Sequence, residues 1–358
     1  MKVRLAIIGS GFGLYGLLPA FQRIRQCQVV GFCARASPRV VDYCRSTGVG
    51  PLFDNWQQMI EETQPDALAI AVVPKYQHAI ARHALRRGIA VFAEKPLAAS
   101  LAQARELLRL ARRSECAHMV DFIFPELPAW RAARAALQAG RIGQVAQVVV
   151  NWSFLSYDLR NRLSTWKTDP AQGGGALAFY GCHLFHNLEF FLGPIRRLYC
   201  RLDVASSDES AGETAVNLQV KFRQGAVGSI VLNCASRGLS AHRWEFYGDR
   251  GALVLHNDAE GFSPDFNVAL STSCSASRKL PLTKIPRRAD LDDRVPLVER
   301  LGKRFIHWCG GGDTAEPNFV EGCRVQQLLE IARQSHRRGA ALPVPEAPAA
   351  AVSSAASN

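Results

Sequence analysis

The sequence predicts an α/β protein in which a doubly wound parallel sheet is followed by an α+β domain with a large, mainly antiparallel sheet. Through residue 122, short apolar or β-branched runs alternate with amphipathic helical patterns, which favours parallel strands joined by right-handed crossovers. From about residue 196 to 270, strand patterns follow one another with short Gly, Asp or Asn turns, as in antiparallel sheets. A chain of 358 residues also exceeds the usual size of one core. We therefore expect domains at 1–122 and 123–343.

The first domain begins with a strand pattern and then alternates. Its strands are predicted at VRLAIIG (3–9), QVVGFCA (28–34), ALAIAVV (67–73), AVFA (90–93) and AHMVDFI (117–123). Helical patterns lie between them, near residues 14–25, 38–46, 55–62, 76–88 and 100–113.

The second domain opens with a helical pattern at 127–140 and the strand QVAQVVVNWSF (144–154), and a helix led by three glycines then ends near Gly193. Five strand patterns follow: RRLYCRLDVA (196–205), TAVNLQVKF (214–222), AVGSIVLNC (226–234), HRWEFYG (242–248) and GALVLHN (251–257). Helices are predicted at 296–309 and 319–337. Residues 344–358 are small, contain prolines and lack periodicity, so they predict a disordered tail.

Composition excludes several classes of function. Neither a membrane-spanning apolar run nor a signal peptide is recognisable, which predicts a cytoplasmic protein without a membrane partner. The ten cysteines show no CxxC spacing, so we expect free thiols and no metal. The net charge of +12 is spread along many helices, which favours a small anionic ligand over nucleic acid.

Three glycines, Gly9, Gly11 and Gly13, follow the first strand directly and precede the first helix. Glycines there permit a tight turn and a close approach of a pyrophosphate to the backbone, and the helix N-terminus favours an anion. This turn, with Phe12 in it, predicts dinucleotide binding. Leu14 stands where a GxGxxG motif has its third glycine, so a turn that only needs small residues is the alternative.

The end of the second strand lacks the carboxylate that would bind the ribose 2′-hydroxyl of NAD. Arg35 stands there instead, with Arg39 one turn later. A guanidinium suits a 2′-phosphate, so the sequence predicts NADP rather than NAD, with NAD as the alternative cofactor. Arg35 as an ordinary surface residue is the other interpretation.

The strand AVFA runs directly into Glu94, Lys95 and Pro96. Ligands of open parallel sheets bind at this carboxyl edge, and a lysine there can hold a substrate hydroxyl or carbonyl. Pro96 fixes the turn that orients the lysine.

These segments together resemble the family of glucose-fructose oxidoreductase, inositol dehydrogenase and MocA, which are NAD(P)-dependent oxidoreductases with an N-terminal Rossmann domain. The resemblance covers nearly the whole chain and rests on GSGFG (9–13), PDALAIAVVPKYQH (65–78), GIAVFAEKPLAAS (88–100), GRIGQV (140–145), the GGG helix and PNFVEGCRVQQLLEIARQS (317–335).

The resemblance implies a role for several residues. The glycine turn would hold the pyrophosphate, Glu94 and Pro96 would lie at the cofactor, and Pro74 with His78 would line the nicotinamide side of the cleft. Lys95 would contact the reacting hydroxyl and the cofactor. Family members also carry an aspartate and a histidine on the GGG helix, four residues apart.

In this chain His183 aligns with that histidine, whereas Phe179 replaces the aspartate and His186 replaces a later aspartate. Helical spacing predicts that these three residues share one face, in a pocket apolar enough to lower the pKa of His183. His183 is therefore the predicted proton relay. Packing inside the domain is the alternative for both histidines.

Lys167, Tyr180 and His186 are the predicted substrate-binding residues. The resemblance also implies an arginine near FIFPELPAW (122–130), but no arginine precedes Arg131 there, which puts that contact in doubt.

The predicted function is hydride transfer between a nicotinamide and a carbonyl or secondary alcohol of a sugar, polyol or sugar nucleotide. The alternatives are a non-redox glycoside-processing enzyme with bound NAD and a cofactor-binding protein with a degenerate site. The resemblance further implies a homo-oligomer.

Overall fold

Six parallel strands form the first sheet in the computed structural model, which describes residues 2–204, 212–260, 262–272 and 275–346. The strands are β1 (Val3–Ile8), β2 (Cys27–Cys33), β3 (Leu52–Phe53), β4 (Ala67–Ile70), β5 (Ala90–Ala93) and β6 (His118–Val120). The helices between them are α1 (Leu18–Gln22), α2 (Pro38–Thr47), α3 (Trp56–Thr63), α4 (Pro74–Arg86) and α5 (Leu101–Ser114).

The strand order is β3-β2-β1-β4-β5-β6, so the chain reverses direction across the sheet between β1 and β4. This is the dinucleotide-binding order, in which ligands bind where the order reverses. The doubly wound parallel sheet predicted from the sequence is confirmed. Strand β3 is an addition, because two residues give no periodic pattern.

Sequence features explain these elements locally. Every residue of β4 and β5 is buried, since helices cover both faces of a parallel sheet. Helices α2, α3 and α5 are capped at their N-termini by Ser37, Asn55 and Ser100. The side chain of each accepts a hydrogen bond from a backbone N–H group of the first turn.

The second domain is built on a nine-stranded sheet with the order β14-β13-β12-β11-β7-β10-β9-β8-β15. Its strands are β7 (Val145–Ser153), β8 (Ile195–Asp203), β9 (Ala215–Phe222), β10 (Val227–Asn233), β11 (Ala241–Gly248), β12 (Gly251–Asn257), β13 (Asn267–Thr272), β14 (Ser275–Lys279) and β15 (Leu342–Pro343). Neighbouring strands are antiparallel except β7 and β10. The mainly antiparallel sheet is confirmed. Strands β13, β14 and β15 are additions, and β14 and β15 form its two edges.

Six helices accompany this sheet: α6 (Pro128–Gln138), α7 (Tyr157–Arg160), α8 (Ala176–Phe179), α9 (Gly181–Leu192), α10 (Val295–Cys309) and α11 (Phe319–Arg338). Helix α11 contacts α5 and β6 of the first domain as well as α9 and β8 of the second. A Cβ on Gly322 would lie 2.9 Å from side-chain carbons of both Leu97 and Val120. The absence of a side chain therefore lets α11 pack closely against the loop that follows β5.

The first residues of the predicted disordered tail, 344–358, have defined contacts in the structure. Val344 is buried and its N–H donates to the carbonyl of Arg196, and the carbonyl of Pro345 accepts from Arg324. The expectation of disorder is therefore wrong for these two residues, because they continue the edge strand β15, which pairs with β8. Residues 347–358 of the predicted tail lie outside the described residues.

Within the described parts of the chain, no helix is long and apolar enough to cross a membrane. The nine cysteines that the structure describes are free, and its described residues form no metal-binding group of His, Cys, Asp and Glu.

Candidate active site

The glycine turn lies at the carboxyl end of β1, beside the end of β4. Gly9 has φ +134°, and a Cβ on it would lie 2.1 Å from the carbonyl oxygen of Ala71, so this position requires glycine. At Gly11 a Cβ would meet nothing within 4 Å. The backbone at Gly11 thus borders open space ahead of the helical stretch formed by a π-turn, Gly13–Leu17, and α1. This arrangement fits a pyrophosphate approaching the backbone and a helix N-terminus.

Gln77 holds the loop after β5. Its Nε2 donates to the carbonyls of Glu94 (2.6 Å), Pro96 (3.1 Å) and Leu97 (3.1 Å). Sequence reasoning missed this residue because an amide in a helix has no distinctive pattern. It lies next to His78, whose Nε2 is instead 2.9 Å from a carboxylate oxygen of Glu106 on α5.

The imidazole of His78 on α4 therefore contacts α5. Pro74 is buried as the first residue of α4.

The amine of Lys95 lies against Phe179. Its Nζ is 3.7 Å from the centroid of the Phe179 ring and 3.3 Å from the Phe179 carbonyl oxygen. This carbonyl is available because the helix is interrupted at Tyr180, so that the N–H of His183 donates to Tyr180 instead. A ring face and a carbonyl oxygen thus contact the cation at the position where the resemblance implies a carboxylate.

The same interruption divides the three predicted residues between two helices. Phe179 ends α8 and contacts Lys95, whereas His183 and His186 lie on α9 and contact Phe122. The continuous helix expected through these positions is therefore interrupted at Tyr180, and the charge of Lys95 acts on His183 as well.

Lys167 lies on the other side of this region. Its Nζ is 5.1 Å from the Phe179 ring centroid and 3.6 Å from a carboxylate oxygen of Asp158. Asp158 is buried and also accepts from the hydroxyl of Thr165 at 2.5 Å. Sequence reasoning missed Asp158, which the short helix α7 after β7 brings to the site.

His183 and His186 lie among aromatic rings. The imidazole of His183 is 5.1 Å from the ring of Phe124, and that of His186 stacks on Phe122 at 4.2 Å. Burial, followed by the charge of Lys95, holds the pKa of His183 well below its usual range, in the predicted direction. Burial also lowers the pKa of His186 to about 4. Both imidazoles are therefore neutral at pH 7.

Tyr180 is largely enclosed by the rings of Trp152, Phe154 and Phe179. Burial raises the pKa of its phenol, so the hydroxyl stays protonated at neutral pH and can donate a hydrogen bond.

An arginine reaches the site from an unexpected position. The Arg294 guanidinium lies 4.5 Å from the centroid of the Phe12 ring and is held by Asp292 through contacts of 2.8 and 2.7 Å. Its charge acts on His183 and Asp121 as well. The segment before α10 therefore supplies the positive charge that the sequence lacks near FIFPELPAW. Only the tertiary fold reveals it, because Arg294 lies in a loop without a motif.

Arg35 follows β2 and is exposed, as is Arg39 in the first turn of α2. Both residues follow the carboxyl end of β2, at the edge of the sheet where ligands of this fold bind. This position is compatible with a 2′-phosphate.

We expect the protein to lose stability as the pH falls from about 6.5 to about 4. Burial lowers the pKa of His118 to about 4 and that of His242 to about 3, whereas unfolded histidines titrate near 6.5. Within this interval the unfolded chain binds protons and the folded chain does not. The contribution of these histidines to stability is therefore complete above pH 6.5 and decreases as the pH falls through the interval. Urea unfolding midpoints between pH 7.5 and 4 measure this slope. His118→Gln should flatten it, and a midpoint independent of pH would contradict the assignment.

Both domains of the protein match known family models. Residues 3–122 match the family described as "Oxidoreductase family, NAD-binding Rossmann fold", and residues 130–254 match the "GFO/IDH/MocA C-terminal domain". The oxidoreductase sll0816 of Synechocystis sp. is 26% identical over 96% of this chain and 97% of its own length. D-apiose dehydrogenase of Paraburkholderia graminis is 24% identical over 98% of this chain and 93% of its own.

A solved structure shares the fold throughout. Levoglucosan dehydrogenase in complex with NADH has a TM-score of 0.84 to this protein at 19% identity, covering 97% of this chain and 100% of that chain. Because the two family matches span both domains and most of the chain, the resemblance drawn from the sequence is confirmed. The protein is an oxidoreductase of the Gfo/Idh/MocA family.

Proposed function

We propose that this oxidoreductase transfers a hydride between NADP and a carbonyl or secondary alcohol of a sugar, polyol or sugar nucleotide. The observation that carries the proposal is the sheet order, because the glycine turn and Lys95 follow strands that lie two apart in one sheet. The charge of Lys95 also acts on His183. D-apiose dehydrogenase and levoglucosan dehydrogenase, by their names, act on carbohydrates, which supports this substrate class.

We infer a shared crevice for these residues from the sheet order. The glycine turn leaves β1 and Lys95 leaves β5, and β4 alone separates these strands. Two strand spacings amount to about 10 Å, a distance that a dinucleotide spans easily. The Arg294 guanidinium lies over the ring of Phe12 in the glycine turn, and its charge also lowers the pKa of His183. Its positive charge suits a pyrophosphate.

A bound nicotinamide would supply or accept the hydride, and the protein's own groups would position the substrate and move the proton. Lys95, with its amine held against Phe179, would polarise the reacting oxygen and exchange a proton with it. Neutral His183 would accept a proton and pass it on, but would not store it, because its pKa is so low. Lys167 and the Tyr180 hydroxyl would bind further substrate hydroxyls, while His186 contributes at the wall of the pocket.

Arg35 should determine the preference for NADP. Arg35→Ala is expected to weaken NADPH binding by about tenfold or more and to change NADH binding little, because a guanidinium pairs with a 2′-phosphate that only NADPH carries. Titration of nucleotide fluorescence with each cofactor measures both effects. Arg39→Ala is the matched control and should cause the smaller loss. Tighter binding of NADH than NADPH by the unchanged protein would refute the preference.

The reaction itself is tested by NADPH consumption with keto-sugars and their nucleotide conjugates. Consumption that depends on one of these carbonyl compounds supports the proposal. Cofactor that stays bound through turnover, without net consumption, would favour the non-redox alternative. Nucleotide binding without any reaction would favour a degenerate site.

We also propose a homo-oligomer that uses the outer face of the second sheet. Val227 and Tyr247 are exposed at 44% and 41%, and both pair with Gln147 across adjacent strands. Val231 lies on the same face and is exposed at 43%. Apolar side chains of this kind favour association with another sheet.

A further inference from the structure

Two carboxyl groups lie side by side at the carboxyl edge of the first sheet, and one of them belongs to the residue before Lys95. Glu94 follows β5 and Asp121 follows β6, and the N–H of Asp121 donates to the carbonyl of Ala93. These strands are adjacent and parallel, so their carboxyl ends place the two side chains together. Asp121 is only 2% exposed.

A hydrogen bond between these two groups requires a proton. Glu94 and Asp121 follow paired strands side by side, and Asp121 Oδ1 is buried without a partner among the N–H and O–H groups that the structure describes. Two ionised carboxylates can only accept, so a hydrogen bond between them needs a carboxylic acid proton. The Glu94 carboxyl is fixed further, since its Oε2 accepts the N–H of Lys95 at 3.1 Å.

The surroundings allow the pair one negative charge rather than two. Burial is the main reason that the pKa of Asp121 is raised, and the neighbouring carboxyl is the next. Two cations, Lys95 and Arg294, act on Asp121. The other charged or titratable groups near these cations are Asp292, Tyr15, Cys182 and His183. Two cations therefore face a pair that carries a single charge.

We propose that Glu94 and Asp121 share one proton and act through Lys95 as its proton store, in place of the carboxylate that the chain lacks at Phe179. The proposal rests on the function proposed above. In the direction of reduction, the substrate carbon takes the hydride with its electron pair, and the substrate oxygen takes a proton from Lys95 Nζ. The Lys95 amine then turns from Phe179 toward the pair and takes the shared proton. Both carboxyls are ionised until a proton from solvent restores the pair, so one proton is consumed for each hydride transferred.

The shared proton is tested in the cofactor-free protein, without reference to any reaction. The infrared difference spectrum at pH 7 between the unchanged protein and Asp121→Asn should contain the carbonyl stretch of a protonated carboxyl, shifted in D₂O. Asp158→Asn, which removes a buried carboxylate paired with Lys167, should leave that band in place. Glu94→Gln should remove it, and serves as the second variant should Asp121→Asn not fold. Absence of the band from the unchanged protein, or its persistence in both variants, would overturn the proposal.

Its role in turnover is tested by the pH dependence of kcat with NADPH and a keto-sugar substrate. Asp121→Asn should lower kcat by about tenfold with a KM within about twofold, and should move the alkaline limb of the profile to lower pH. A residue with only a structural role would leave that limb unchanged. An unchanged kcat and limb would overturn the inference while leaving the proposed hydride transfer intact. If no carbonyl compound reacts, the proposed function fails, and the infrared band still decides whether the proton is shared.

Discussion

Replacing Lys95 by methionine should slow hydride transfer by about 10²–10⁴-fold, the usual loss when a positioned acid or base is removed. Methionine retains a flexible side chain of similar length but has no charge and no proton to donate. Among the residues that the structure describes, Lys95 Nζ hydrogen-bonds the Phe179 carbonyl and lies against the Phe179 ring, so the loss of the amine should disturb few other groups. Single-turnover measurements with NADPH and an accepted keto-sugar give the rate.

Nucleotide binding by Lys95→Met separates chemistry from assembly of the site. NADPH affinity should change far less than the rate, since the glycine turn and Arg294 are untouched. Lys75→Met, an exposed lysine on α4, is the matched control and should retain full activity. His183→Asn should also slow transfer, by roughly a hundredfold, if His183 relays the proton. A near-normal rate in Lys95→Met would remove the lysine from the mechanism.

Gly9→Ala should destabilise the protein by about 3 kcal/mol or more, which combines the cost of a positive φ with that of a backbone clash. Gly9 has φ +134°, and its added Cβ would lie 2.1 Å from the Ala71 carbonyl oxygen, which β4 fixes in place. Either β1 and β4 must separate or the turn must rearrange. Thermal and urea unfolding measure the loss.

Gly11→Ala is the matched control, two residues away in the same turn. Its Cβ would meet nothing within 4 Å, so stability should change by less than about 0.5 kcal/mol. Nucleotide affinity should nevertheless fall by about tenfold or more, because the methyl group would occupy the space through which a pyrophosphate approaches. Unchanged NADPH binding in Gly11→Ala would show that the dinucleotide lies elsewhere.

The elements with a strong periodic pattern were predictable from the sequence. Most strands of both sheets and most of the helices lie where apolar periodicity and Gly or Asn turns place them, with β13 among the exceptions. The two-residue strands β3 and β15 were not predictable, because so short a segment has no period and pairs only once its neighbour is in place. The polar edge strand β14 has no apolar alternation to detect.

The candidate site was predictable only in part, for a related reason. The glycine turn and Lys95 follow buried strands directly, so the sheet order places them at one edge. Gln77, Asp158 and Arg294 carry no such signal, because each reaches the site from a helix or loop whose position depends on packing between distant segments. Their roles became visible only from contacts.

The sequence by itself determined the alternation of elements, the glycine turn and the lysine after a buried strand, because these depend on neighbouring residues and on a repeating pattern of burial. The tertiary structure alone decided what surrounds Lys95: the interruption at Tyr180 that exposes a carbonyl, the arginine from the start of α10, and the meeting of Glu94 with Asp121. Such contacts join residues far apart in the chain, as Phe12 and Arg294 are. Burial makes the protonation of such groups depend on neighbours that local sequence does not specify.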